Sequence, residues 1–464
     1  MKKIISFLFI CLCTTLTAQD ITGAWHGLLV IPGGELKLTV NIEKDGDKYT
    51  STLDSPDQGA MGIPVTTTDF QNNILTLAIP EGKIEYKGTY EGTGFKGTFT
   101  QNGYPLSLNL SKEIPKAKEV NRPQEPKAPY PYYTEDVIIK NDKAGITLAG
   151  TLTLPKKEGN YPAVILLTGS GPQNRDEELM GHKPFLVLAD HLTKNGIAVL
   201  RYDDRGVAES KGDFAGATIE DFATDAEAAF NYLKTRKEIN SKKIGFAGHS
   251  EGGTVAPIVA ANNKDVAFVV MMAGTAIPGD EILMLQNYMF GKADGMPEEE
   301  LAKLGKINRK IYDAIKAEKD SKKLKANITE ISNNDLKPLL ISKGIPQDQV
   351  TQYINIQTEE LTSPWFTHFI TYYPALALEK VKCPVLAING SKDLQVAAKP
   401  NLDAVKRAAE KSGNKKITVK ELAGLNHLFQ ECETGTLAEY EKIEQTFSPV
   451  ALNEISGWIV KQVK

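Results

Sequence analysis

Through residues 134–464, apolar runs of strand length alternate with helical stretches. The runs are at 164–167, 197–201, 244–247, 266–272, 385–388 and 417–419. Helix-like stretches follow them: up to Lys194, over 218–235, over 252–261, after 388, and finally to Lys464. Runs this apolar leave no face for water, so they predict parallel strands covered by helices on both sides. Ahead of them, 136–140 and 146–154 alternate polar with apolar and read as an antiparallel hairpin at the sheet edge. The rhythm breaks once. Residues 277–375 carry Lys- and Glu-rich helical segments and no buried strand. An insertion there would cover the carboxyl ends of the strands, where such sheets bind ligands, and it reads as a helical lid.

The first part of the chain is different. Residues 20–112 alternate with period two, as in Glu35-Leu36-Lys37-Leu38-Thr39-Val40-Asn41-Ile42, and Asp45-Gly46 reads as a hairpin turn. Tyr86-Lys87-Gly88-Thr89-Tyr90 and Phe95-Lys96-Gly97-Thr98-Phe99 form a near-repeat around Gly92-Thr93-Gly94. These features predict a small antiparallel β domain, barrel-like or sandwich. Residues 113–133 hold five prolines among charged residues and read as an extended linker. Before the β domain, Lys2 and Lys3 precede an apolar run over 4–12 and then small and polar residues. That pattern predicts a signal peptide over 1–19, with Ala18 or Gln19 as its last residue, and export to a periplasmic or secreted location. The run is too short for a membrane span, which needs about 20 apolar residues. Of the four cysteines, Cys383 and Cys432 lie beyond the signal, and two are no disulfide framework. A formal net charge of −4 argues against a large nucleic-acid surface. No His and Cys clusters have zinc spacing.

The strongest chemical signal follows the strand at 244–247. There Gly248-His249-Ser250-Glu251-Gly252-Gly253 runs into a helix-compatible stretch. Gly-x-Ser-x-Gly between strand and helix is the setting of a nucleophile elbow, whose sharp turn exposes a serine hydroxyl. Serine needs a base to take its proton, usually a histidine held by a carboxylate. In this arrangement the chain order is serine, acid, histidine. Of the six histidines only His368 and His427 lie beyond Ser250. His368 falls in the predicted lid. His427 follows the last predicted strand, where the base belongs. Asp393 follows the strand before it and is the candidate acid, with a helix N-cap as its alternative role. The oxyanion formed on attack needs N–H donors: Glu251, the residue after the nucleophile, and Ser170 in Thr168-Gly169-Ser170-Gly171-Pro172, with Gly171 as the fallback. Asn174, Arg175 and Asp176 just beyond it either line the site or close a turn. His182 and His191 read as surface or capping groups, Trp25 and Trp458 as core or interface aromatics.

Two motifs carry a family resemblance over residues 134–464. One is Gly248-His249-Ser250-Glu251-Gly252-Gly253. The other is Asp204-Arg205-Gly206-Val207-Ala208-Glu209-Ser210, in which Ala208 stands where glycine is usual. With them the segment resembles the α/β-hydrolase superfamily, within it the serine aminopeptidase and proline iminopeptidase-like branch that includes many bacterial esterases. The resemblance implies Ser250, Asp393 and His427 as a catalytic triad and acyl transfer to water without metal or organic cofactor. It implies a small-molecule ester or acylated compound as substrate. A peptidase acting on short peptides and a non-catalytic binding protein on the same scaffold are the alternatives.

Overall fold

The computed structural model describes residues 20–31, 34–46, 48–55, 60–101, 103–114 and 121–464. The signal-peptide segment and the first part of the Pro-rich stretch lie outside these residues. The chain divides into two units, Met1–Lys118 and Glu119–Lys464.

The first unit is one nine-stranded antiparallel sheet. Its strands are β1 (Gly23–Ile31), β2 (Gly34–Asp45), β3 (Lys48–Ser55), β4 (Ala60–Val65), β5 (Thr67–Gln71), β6 (Ile74–Ile79), β7 (Ile84–Tyr90), β8 (Gly94–Gln101) and β9 (Tyr104–Ser111). They lie in the order β4-β3-β2-β1-β9-β8-β7-β6-β5. The sheet curls until its two arms meet, with Ser51 Oγ of β3 and Thr68 Oγ1 of β5 2.7 Å apart. Alternation does the folding. Leu38, Val40 and Ile42 of β2 are buried, while Lys37, Thr39 and Asn41 between them are more exposed. The buried faces enclose Trp25 and Phe95, edge to face at 4.8 Å. Asp45-Gly46 makes the β2–β3 turn, and the near-repeat forms the β7–β8 hairpin.

The second unit is the α/β hydrolase fold. Its strands are β10 (Tyr133–Asn141), β11 (Ile146–Leu154), β12 (Tyr161–Leu167), β13 (Ala198–Tyr202), β14 (Ile239–His249), β15 (Val269–Met272), β16 (Val385–Gly390) and β17 (Ile417–Leu422), in the order β10-β11-β13-β12-β14-β15-β16-β17. The edge hairpin β10–β11 is antiparallel, and β12 to β17 are mutually parallel. β12 shows why the runs are so apolar. Val164 and Leu166 join one core, with Phe185, Leu188 and Trp458. Ala163, Ile165 and Leu167 join the other, with Phe230 and Val255. The helices covering the sheet are α1 (Pro184–Lys194), α2 (Ile219–Lys234) and α3 (Gly252–Asn262). Thr218 and Asp221 close a capping box at the start of α2.

Between β15 and β16 the chain forms only helices: α4 (Gly279–Ala293), α5 (Glu298–Ala317), α6 (Ser321–Ile331), α7 (Lys337–Ser342), α8 (Gln347–Leu361), α9 (Pro364–Thr371) and α10 (Ala375–Leu378). They hold their own apolar core around Ile311, Ile328, Phe366 and Ile370. α11 (Ala398–Ser412), α12 (Leu437–Tyr440) and α13 (Pro449–Val463) complete the unit.

Two sequence readings are corrected. The stretch from 168 to 194 is helical only from Pro184. Residues 168–183 are a loop tied down by buried charge: Arg175 to Asp203, Asp176 to Arg201, and Glu177 to His249. Arg175 and Asp176 therefore serve to hold this loop. His182 is no surface group but fully buried, with Nε2 2.7 Å from the Tyr440 carbonyl and Nδ1 3.0 Å from Thr446 Oγ1. His191 is partly buried, its Nε2 2.9 Å from Ser456 Oγ. The Pro-rich stretch also docks. Arg122 donates to the Gly181 and Glu441 carbonyls at 3.0 and 2.8 Å, and Gln124 accepts from the Thr446 N–H at 2.7 Å. Cys383 and Cys432 are free thiols. No helix among the described residues is long and apolar enough to cross a membrane.

Candidate active site

β14 ends at His249, and Ser250 follows in the left-handed region at φ 51°. A non-glycine residue there is strained and persists only where its surroundings impose it. They do so here. The Ser250 N–H donates to the Met272 carbonyl at the end of β15, at 2.8 Å. A Cβ on Gly252 would lie 2.2 Å from the Leu167 carbonyl oxygen, and one on Gly248 would lie 2.0 Å from the Gly252 carbonyl oxygen. Both glycines are thus required for α3 to pack so close behind the strand ends.

Asp393 and His427 are brought together from two separate loops. Asp393 lies three residues beyond β16, and His427 five beyond β17. His427 Nδ1–H donates to Asp393 Oδ2 at 2.8 Å, with both side chains buried. Asp393 Oδ1 meanwhile accepts the N–H groups of Gln395 and Val396, each at 2.8 Å. One oxygen of the carboxylate thus orients His427 and the other closes its own turn; the helix N-cap reading does not hold, because α11 begins at Ala398 with Ala397 as its N-cap. His249 Nε2–H donates to the His427 carbonyl at 2.9 Å, joining the elbow to the histidine loop. Among the described residues Ser250 Oγ makes no hydrogen bond to His427, a link that often tightens only around substrate.

Ser250, Glu251 and Ser170 line one cavity of about 220 Å³. The N–H groups of Glu251 and Ser170 have no hydrogen-bond partner among the described residues, whereas that of Gly169 is taken by Glu177 Oε1 at 2.8 Å. The lid supplies the opposite wall with Trp365, Phe366, Phe369 and Tyr372. Trp365 stacks on Phe369 with ring centroids 5.3 Å apart and donates Nε1–H to Glu251 Oε1 at 2.7 Å. His368 also reaches this cavity, but its Nε2 lies 2.9 Å from the Glu220 carboxylate.

Buried acids surround the elbow. Burial pushes the Glu251 carboxyl up to about 7 against the lowering effect of the Trp365 hydrogen bond. Burial likewise pushes Asp204 up to about 8, opposed by hydrogen bonds from the Thr168 hydroxyl at 2.7 Å and the Gln173 N–H at 3.0 Å. Asp204 thus shapes the oxyanion loop from below. Its neighbour Arg205 pairs with buried Asp225 at 2.7 Å. Ala208, where glycine is usual, has φ 46°, the conformation that makes glycine the ordinary choice.

Sequence reasoning missed Glu177, His249 and Trp365. His249 sits at a free position of the elbow motif. Glu177 and Trp365 are distant in sequence from what they touch, and no periodicity marks them.

Residues 183–433 match the family described as serine aminopeptidase, S33. Esterase EstD of Thermotoga maritima is 30% identical over 318 residues, which cover 68% of this chain and 66% of that protein's own length, just under two thirds. Among solved structures, an esterase of Pyrococcus furiosus aligns at 15% identity and TM-score 0.45, over 75% of this chain and 100% of its own. An α/β hydrolase of Penicillium aligns at 18% identity and TM-score 0.43, over 71% and 99%.

Proposed function

We propose that this chain, which belongs to the serine aminopeptidase S33 family, hydrolyses carboxylic esters of small molecules through an acyl-enzyme on Ser250. The observation that carries the reading is the Asp393–His427 pair, bonded at 2.8 Å and presented from the strand ends beside a serine held at φ 51°. In this mechanism His427 Nε2 takes the Ser250 proton as Oγ attacks the ester carbonyl. Asp393 fixes the tautomer and stabilises the imidazolium that forms. The N–H groups of Glu251 and Ser170 receive the oxyanion. His427 then protonates the departing alcohol. A water, deprotonated by the same imidazole, attacks the acyl carbonyl and frees Ser250.

A small cavity with an aromatic lid wall supports a compact ester over an extended one. One observation favours the peptidase alternative: the Glu251 carboxyl on the cavity wall offers a partner for a substrate amine. Turnover of p-nitrophenyl esters beside aminoacyl p-nitroanilides tests the choice. Esters are expected to be the better substrates by kcat/KM. Preference for the anilides would overturn the ester assignment and leave Ser250 as the nucleophile of a peptidase.

A further inference from the structure

A second buried carboxylate–histidine pair, Glu177 and His249, adjoins Asp393–His427. Glu177 Oε1 is 2.9 Å from His249 Nδ1, and the two side chains are 3% and 8% exposed. The same oxygen accepts the Gly169 N–H, and the other ring nitrogen of His249 meets the His427 carbonyl at 2.9 Å. One continuous chain therefore runs from the oxyanion loop through Glu177 and His249 to the backbone of His427. We propose that Glu177 and His249 form a second histidine–carboxylate pair, whose task is to position the oxyanion loop and the His427 loop around Ser250. The proposal rests on the reading of Ser250 and His427 as nucleophile and base.

The hydrogen bonds specify the protons. A carbonyl only accepts, so Nε2 of His249 carries hydrogen. Nδ1 and Glu177 Oε1, the oxygen that also accepts the Gly169 N–H, hold one hydrogen between them. Burial alone would pull the His249 imidazole down; the Glu177 charge and hydrogen bond, the His427 carbonyl and the more distant Asp393 outweigh it, and the net direction is up. The titratable groups around His249 are Glu177 from the 168–183 loop, Asp393 from beyond β16, His427 from beyond β17, and Glu251 on its own turn. Glu251 and Glu177 both help to raise Asp204, which lies beyond β13.

Two consequences follow. First, Gly169 is fixed where a Cβ on it would lie 3.3 Å from Ser250 Cβ, which sets how closely the oxyanion loop approaches the nucleophile. Second, the rings of His249 and His427 are 4.7 Å apart. The pair is thus packed against the His427 ring and holds its loop through the Nε2–H bond to the His427 carbonyl. Neither residue touches the reacting atoms, so both are positioning residues.

The test measures kcat and KM on a p-nitrophenyl ester for the wild type, Glu177→Gln and His249→Gln, with thermal unfolding and fluorophosphonate labelling in parallel. Glu177→Gln keeps the acceptor for Gly169 and removes the charge. The expected result is a fall in kcat of roughly 10²-fold with little change in KM. The split between kcat and KM is the readout that loss of stability alone does not move. Folded variants with wild-type kcat would overturn the positioning role while leaving Ser250 as nucleophile. Failure of both variants to fold would assign the pair to stability and overturn it too. Absence of labelling at Ser250 in the wild type would overturn the functional reading itself, whatever the variants do.

Discussion

Among the described residues the first unit buries Trp25, Phe95, Leu75 and Leu110 and, of polar groups, Ser51, Ser55 and the Tyr86 phenol, but no charged side chain. The second unit buries Glu177, Asp203, Asp204, Arg205, Asp225, His249, Glu251, Asp393 and His427. Both are built from alternating or continuous apolar strands, so the difference is not one of folding principle. Burying charge costs several kcal/mol unless it is paired, and the β unit avoids that cost. The hydrolase unit accepts it at the carboxyl ends of its strands, around Ser250. The contrast teaches where to look: buried ionisable groups gathered at one end of a sheet mark chemistry.

The sharpest way to break the contrast is to remove the reacting group. Ser250→Ala should lower kcat/KM by roughly 10⁴- to 10⁶-fold with thermal stability held, measured by steady-state kinetics and calorimetry. Asp393→Asn should lower kcat by about 10⁴-fold, because the wrong His427 tautomer is then favoured. Not every buried charge serves chemistry. Arg205→Met leaves Asp225 buried without its cation and should cost about 3–5 kcal/mol of stability, read from denaturant unfolding. In the β unit the same order of cost comes from packing alone. Trp25→Ala should destabilise that unit by about 3–5 kcal/mol and leave kcat/KM unchanged.

The smallest effect concerns pH. Asp204 titrates near 8 in the folded protein and in the ordinary carboxylate range when unfolded. The folded state therefore holds the extra proton between these limits, and stability is lost as pH rises toward 8. His182, pulled down to about 4 by burial, acts in the opposite sense below about 6.5. Between 6.5 and 8 His182 no longer opposes the decline, to which Glu251 adds up to about 7, and melting curves of Asp204→Asn across this window should be flatter than those of the wild type.

Much of this was legible in the sequence, for physical reasons. The period-two alternation at 35–42 and the fully apolar runs at 164–167 and 244–247 report burial directly. Asp393 and His427 stand out in the sequence because each follows a strand end, a position set by local pattern. The loop at 168–183 was misread because its order comes from Arg175, Asp176 and Glu177 meeting partners 25 to 72 residues away. His182 was misread for the same reason, since Gln430 and Thr446 reach it across 248 and 264 residues. Such contacts leave no periodic trace. Ala208 lies between these cases: the motif marked it as unusual, and only its positive φ says why.

The central claim is that Ser250 carries the acyl group. Intact-mass spectrometry of the protein quenched during turnover of a p-nitrophenyl ester tests it most directly. The account predicts an added acyl mass on the wild type, located by peptide mapping to Ser250 and absent in Ser250→Ala. Acylation elsewhere, or its persistence in Ser250→Ala, would contradict it.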